Sequence, residues 1–220
     1  MTTRNDFPTV KASMDALLAN TNRSDTEIVV VDAESTDGQL PVLRGYAESG
    51  VIKLIVKKCN RGEGRQIAFK ESSGDYVIAG VDTDDTIGPG LQDLLALYHK
   101  EYEGSVLKAV GVTIAPRDVI ESLGGWKPLF GGEDFDFWKR AEERGLLRQV
   151  SVSPYVTRVR RRQGVVHTVR HLWRYAEQGR TPILSRKWKP VWAVIRFVHY
   201  VVRPGRRAKP TGSGDDTRNA

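Results

Sequence analysis

The chain has 220 residues, 40% hydrophobic and 8% aromatic, with 34 Lys plus Arg against 27 Asp plus Glu and a net charge of +7. That length allows one sizeable domain with an appendage but not two large domains, and the apolar runs exclude low-complexity disorder for most of it. A single cysteine, Cys59, excludes a disulfide framework and a cysteine-based zinc site, no window of about 18 uncharged apolar residues suggests a conventional transmembrane helix, and MTTRNDFPTV lacks the apolar core of a signal peptide, which predicts a cytosolic chain.

Residues 8–20 carry Val10, Met14, Leu17 and Leu18 at helical spacing, behind a Pro suited to a first turn. EIVVVD (27–32) then reads as a buried strand closed by the turn-rich ESTDGQ. A helix is expected over 39–49, a strand over 51–56, a helix over 64–73 and a third strand over 75–82. An amphipathic helix follows over 90–103, with Leu91, Leu94, Leu95 and Tyr98 on one side. A short strand near 106–112 leads into a loop-rich stretch, and the helix over 133–145 is stopped by Gly145. Strands alternating with helices predict a mostly parallel, doubly covered α/β sheet with its ligand at the carboxyl ends of the strands. EIVVVD ends at Asp32 and DYVIAGVD at Asp82, so both place an acid where that crevice would lie.

Three segments carry chemistry. VDTDD (81–85) packs three carboxylates into four positions, a repulsion that solvent or a cation must relieve. Asp82 and Asp84 suit a hard divalent ion and the phosphates it carries. An acidic turn with Asp85 capping the next helix is the plainer alternative. In NRGEGRQ (60–66), Arg61 and Arg65 bracket two glycines ahead of the expected helix, a design for phosphate or ribose oxygens. It is neither a P-loop nor a dinucleotide fingerprint, and it also reads as a glycine turn with solvated arginines. GGEDFDFW (131–138) sets Glu133, Asp134 and Asp136 at a helix start. Acidic neighbours there would raise a carboxyl pKa, which suits acid–base work, while acids at a helix N-terminus are also stabilised for structural reasons alone.

EIVVVDAESTDGQ, NRGEGRQIAFKESSGDYVIAGVDTDD and GGEDFDFWKRAEERG occur in this order, and together they resemble the family 2 glycosyltransferases of GT-A fold over about residues 1–145. The resemblance implies a metal-dependent inverting transferase that moves a sugar from a nucleotide-diphosphate donor to a glycan or polyprenyl-linked acceptor. It implies that Asp32 contacts the base, that Asp82 meets ribose or sugar and joins Asp84 on Mn²⁺ or Mg²⁺, and that Asp134 is the general base beside Glu133 and Asp136. Arg61 and Arg65 fall in the donor-facing region, and Thr2 and Arg4 would line the nucleotide pocket. The sequence departs from the family at Ala33, where a second Asp is common, and at its start, where TTRN matches only the end of the first apolar strand. The interval from Asp84 to Asp134 is short, which makes 113–132 a minimal acceptor insert. Trp126 and Phe130 there suit stacking on a sugar or lipid, or core packing.

Residues 1–145 hold 17 basic and 24 acidic side chains, whereas 146–210 hold 16 basic and one acidic, Glu177. This asymmetry divides the chain into a catalytic body (1–145), a basic helical appendage (146–210) and a disordered tail (211–220). Helical faces over 165–178 and 190–203, with Trp173, Trp188 and Trp192, suit an anionic membrane interface and a peripheral place on the inner face of the cell membrane. The same helices also fit closure of the catalytic core. Nucleic acid is the least favoured partner, since no recognition module accompanies the charge. His99, His167, His171 and His199 form no ligand cluster, and Cys59 is expected to be a small, at least half-buried side chain. Two rival readings are a basic binding module on a degenerate transferase body and a sugar-nucleotide nucleotidyltransferase. The second lacks its Gly-rich, Arg- and Lys-bearing loop near the N-terminus.

Overall fold

The computed structural model describes residues 1–158. The chain opens with a two-residue strand, β1 (Thr2–Thr3), then α1 (Phe7–Ala19), β2 (Val29–Asp32), α2 (Gln39–Glu48), β3 (Lys53–Val56) and α3 (Arg61–Glu71). β2 is buried along its whole length, as a run of β-branched valines inside a parallel sheet should be. β1 and β3 flank it in parallel, with Thr3 opposite Asp32 and Asp32 opposite Val56. TTRN therefore does supply the strand beside β2, though only two residues of it.

The second half follows a different plan. β4 (Tyr76–Ala79), β5 (Asp85–Ile87), α4 (Gly90–Leu97), a π-turn (Tyr98–Tyr102), β6 (Val106–Lys108), β7 (Thr113–Pro116), α5 (Arg117–Ser122), α6 (Glu133–Glu143), β8 (Leu147–Gln149) and β9 (Tyr155–Arg158) complete the described chain. The order β4-β7-β6-β8 joins two antiparallel pairings to one parallel pairing. The architecture is thus mixed α/β, not mostly parallel. The cause lies in the stretch read as one strand near 106–112. Gly111 takes φ +77 and the Ala109 N–H bonds the Val112 carbonyl at 2.9 Å, so the chain folds back as a hairpin instead of crossing over.

Other boundaries move for local reasons. α3 begins at Arg61, not 64, because Asn60 and Glu63 form a reciprocal capping box. The strand before VDTDD ends at Ala79, where Gly80 turns at φ +88 against Gly111, so Asp82 lies past the strand in the crevice loop. The helix over 90–103 divides into α4 and the π-turn. The 113–132 stretch contains β7 and α5 as well as loop. β8 pairs with β6 and β9 with β5, so the folded body continues past the boundary placed at 145.

One apolar cluster joins α1, β2 and α4 through Val10, Met14, Val30 and Leu91. A second joins α3, β6, α5 and α6 through Phe69, Val106, Ile120, Trp126 and Phe137. Among the described residues no helix is long and apolar enough to cross a membrane. The helices expected over 165–178 and 190–203, with Trp173, Trp188, Trp192, His167, His171 and His199, and the 211–220 tail lie outside the described residues.

Candidate active site

Three carboxylate groups converge at the carboxyl ends of the strands. The first is Asp32, at the end of β2. It is fully buried, and both oxygens are used: the Ser35 N–H donates to Oδ1 at 2.8 Å and the Gln39 amide donates to Oδ2 at 2.6 Å. Gln39 is equally buried, accepts the Asp6 N–H at 2.7 Å and donates to Thr3 Oγ1 at 3.1 Å. The Thr3 and Thr83 hydroxyls share a hydrogen bond at 2.7 Å, and each also lies within hydrogen-bond reach of Asp6 Oδ2, at 2.9 and 2.7 Å. Neutral side chains thus link the end of β2 to the residue between Asp82 and Asp84. Ala33 contributes only its backbone N–H, which bonds Thr3 at 3.0 Å. Arg4 is exposed near Asp32 and the half-buried Cys59. The Thr2 hydroxyl is buried without a hydrogen-bond partner among the described residues and packs on Gly64.

The second group is Asp82, Asp84 and Asp85, each of which offers an oxygen within 4.8 Å of the others. Burial raises the pKa of Asp82, while Arg65 and Arg61 pull it back. Asp84 is raised by burial and by the like charges of Asp82 and Asp85. Removing like charges from water in one place is costly, and a hard divalent cation relieves that cost; three carboxylate oxygens form the donor set such an ion takes. Asp85 does not cap α4. It opens β5 and is 5% exposed, so in place of the alternative capping role it joins the other two acids.

The third group is at the start of α6, where Gly132 takes φ 79 and Glu133, Asp134 and Asp136 fill the first turn. Arg65, on α3, reaches across to both of the first two acids. It meets Glu133 Oε1 at 3.1 Å and Asp134 Oδ2 at 2.8 Å. Arg61 stands 4.0 Å from Glu133. Burial opposes the charge on Arg65, but Asp134, Glu133 and Asp82 outweigh it and hold the guanidinium protonated. Asp134 is pushed above the usual carboxylate range by burial, which Glu133 and Asp82 reinforce and which Arg65 and the Trp126 indole oppose. Asp136 is engaged elsewhere, by Lys127 at 2.9 Å and Arg140 at 2.7 Å. Arg65 therefore connects the VDTDD acids to Asp134, while Asp136 belongs to a separate ion pair network.

The glycines of NRGEGRQ do not cradle a phosphate. They lie inside α3, and a Cβ on Gly62 would overlap the Lys127 carbonyl while one on Gly64 would overlap Thr2. Their task is close packing, and the arginines on either side of them reach toward the acids of α6. Trp126 is 3% exposed and stacks on Phe137 at 4.7 Å, so it is not open for stacking on a ligand. Its indole N–H donates to Asp134 Oδ1 at 3.0 Å, a site contact that the spacing of the sequence did not reveal.

An α/β body whose acids gather past the carboxyl ends of its strands defines a class of fold that takes its ligand in that crevice. The sequence matches the profile of Glycosyl transferase family 2 over residues 1–164, and the chain belongs to that family. Solved structures share its GT-A-like fold. A mannosyltransferase from Pyrobaculum calidifontis, in complex with GDP-Man and Mn²⁺, superposes with TM-score 0.65 at 19% identity, covering 90% of this chain and 67% of that one. S. aureus TarS 1-349 superposes with TM-score 0.58 at 20% identity, covering 70% of this chain, and its complex with UDP-GlcNAc gives 0.62 at 20%, covering 76% of this chain and 59% of that one. The chain spans 57% of the length of TarS 1-349. No curated protein matches the sequence.

Proposed function

We propose that the chain transfers a sugar, with inversion and with help from a divalent metal, from a nucleoside-diphosphate donor to an acceptor hydroxyl. One observation carries the reading: Arg65 is ion-paired to Asp134 at 2.8 Å and lies within electrostatic reach of Asp82, so one cation bears on both a metal-type acid cluster and a base candidate. Mn²⁺ or Mg²⁺ on Asp82, Asp84 and Asp85 would offset the negative charge that grows on the leaving diphosphate. Arg65 and Arg61 would hold phosphate oxygens. Asp134, its pKa raised by burial, would accept the acceptor hydroxyl proton. Glu133 would keep Arg65 oriented, while Thr2 and Arg4 would border the nucleoside at the end of β1, with Asp32 anchored behind them at the end of β2. The ligands named for the mannosyltransferase and for TarS, GDP-Man with Mn²⁺ and UDP-GlcNAc, support this donor class and a divalent ion.

The test is a thermal-shift panel of UDP-, GDP- and dTDP-sugars with and without Mn²⁺. A donor that binds only with metal raises the melting temperature by mass action. Stabilisation by at least one nucleotide sugar, dependent on metal, is expected; a panel silent in both conditions contradicts the reading.

The basic run over 146–210 and its tryptophans support a lipid-linked acceptor or surface glycan, met at an anionic inner membrane face. Flotation with anionic liposomes should exceed flotation with neutral ones and weaken as salt rises. Equal flotation with both lipids would remove the membrane from the proposal.

A further inference from the structure

Trp126 is fixed more firmly than packing alone requires. Its backbone N–H donates to Gln66 Oε1 at 2.7 Å, one residue along α3 from Arg65. Gly125 precedes it at φ +63, where a side chain would be strained and would overlap the Gln66 amide. The Arg140 guanidinium donates to the carbonyl of Leu123 and, at 2.7 Å, to that of Gly125. The turn that carries the indole is therefore tied to both α3 and α6. The ring itself stacks on Phe137 at 4.7 Å and meets Phe69 edge-on at 6.1 Å. A phenylalanine would satisfy those ring contacts. Only tryptophan adds an N–H, and that N–H goes to Asp134.

The two oxygens of Asp134 thus have unlike partners: the buried, neutral indole on Oδ1 and the Arg65 cation on Oδ2. The terminal torsion of an Asp side chain is broad and roughly two-fold, so a carboxylate whose second oxygen loses its cation to a ligand has little fixed orientation unless another donor holds it. A donor diphosphate competes for Arg65, because it offers a guanidinium the same charge and bidentate geometry as a carboxylate. The indole has no such competitor.

We propose that Trp126 is a positioning residue for the transfer, holding Asp134 Oδ1 through its indole N–H so that Oδ2 faces the acceptor when Arg65 turns to the donor. The inference rests on the reading of Asp134 as the base. In the step it serves, the acceptor O–H proton passes to Oδ2 and the acceptor oxygen forms its bond to the sugar carbon. The carbon–oxygen bond to phosphate breaks, and its electron pair leaves with the nucleoside diphosphate. Asp82 and Glu133 also act on Asp134 electrostatically, but as carboxylates they accept hydrogen bonds and cannot take the place of the indole donor.

The test uses the full chain and the panel nucleotide sugar that stabilises it most. Trp126→Phe keeps the stacking and deletes the N–H. A hydrogen bond to a charged group contributes about 1.5–3 kcal/mol, so kcat should fall about 10- to 100-fold while the donor KM stays within about twofold. Benzothienylalanine at 126, which keeps the bicyclic ring and replaces N–H by sulfur, should show the same loss. In the wild type, the Trp126 indole proton should exchange slowly with solvent, and Asp134→Ala should release it, a readout independent of turnover. Full kcat in Trp126→Phe, or wild-type kcat with benzothienylalanine beside a slow Phe variant, would overturn the inference, the second by assigning the effect to packing. Asp134→Asn run alongside separates the two claims. If it retains transfer, the base assignment falls and this inference with it; if it is slow while Trp126→Phe is fast, the inference falls alone.

Discussion

Asp32, at the end of β2, and Asp134, at the start of α6, are the same side chain, and their surroundings make them different groups. Asp32 is wholly inaccessible and held by two neutral donors, the Ser35 N–H and the Gln39 amide. Asp134 keeps 22% of its side chain exposed and sits between a cation, a neutral indole and two further acids. Neutral, saturated partners make a carboxylate a structural anchor. Charged partners that a ligand can draw away leave it reactive, and burial then shifts its proton affinity toward a useful range.

The largest effect expected from this contrast lies on the reactive side. Asp134→Asn keeps the shape and removes the proposed base, so transfer should fall by about 10²–10⁴-fold with donor affinity little changed. Because burial raises the Asp134 pKa, the carboxylate forms only at higher pH than an ordinary Asp. The transfer rate of the wild type should therefore rise with pH along a limb above the usual carboxylate range near 3.9, and this limb should vanish in the variant. A pH–rate profile of both proteins checks this.

Two helical glycines sharpen the structural side. Gly62→Ala pushes a methyl group into the Lys127 backbone and should cost about 3 kcal/mol, detaching α3 and Arg65 from the turn that carries Trp126. Gly45→Ala, on α2 with open space around it, should instead stabilise by about 0.5–1 kcal/mol. Urea denaturation of the pair measures both, and equal effects would refute the packing role of Gly62. The smallest loss belongs to the anchor: Gln39→Ala leaves a buried Asp32 oxygen without its amide donor and should cost about 1–3 kcal/mol in the same assay. Catalysis should then fall less than in Asp134→Asn.

What was legible in the sequence follows from what is local. EIVVVD read as a buried strand because its valines are consecutive, and α1, α2 and α6 were visible through apolar spacing or caps. The hairpin between β6 and β7 was read as one strand because its turn, Ala109–Val112, contains no Pro or Asn and signals itself only through Gly111. The acids Asp82, Asp84 and Asp134 stood out as clusters. Arg65 stood out as a phosphate or ribose contact, but its ion pairs did not, because the pairing with Glu133 spans 68 residues and is made by helix packing that depends on Gly62 and Gly64. Asp85 looked like a helix cap because β5, which it opens, finds its partner only in β9. The nitrogen of Trp126 was hidden for a similar reason: an aromatic in an apolar context announces its ring, not the direction of its N–H.

In the proposed reaction Asp82, Asp84 and Asp85 hold a divalent ion that the donor needs. Calorimetric titration of the best-binding nucleotide sugar into the wild type and into Asp84→Ala, each with and without Mn²⁺, tests it most directly. The account predicts donor binding strengthened by Mn²⁺ in the wild type and no metal effect in a folded Asp84→Ala variant. An undiminished Mn²⁺ effect in that variant would contradict it.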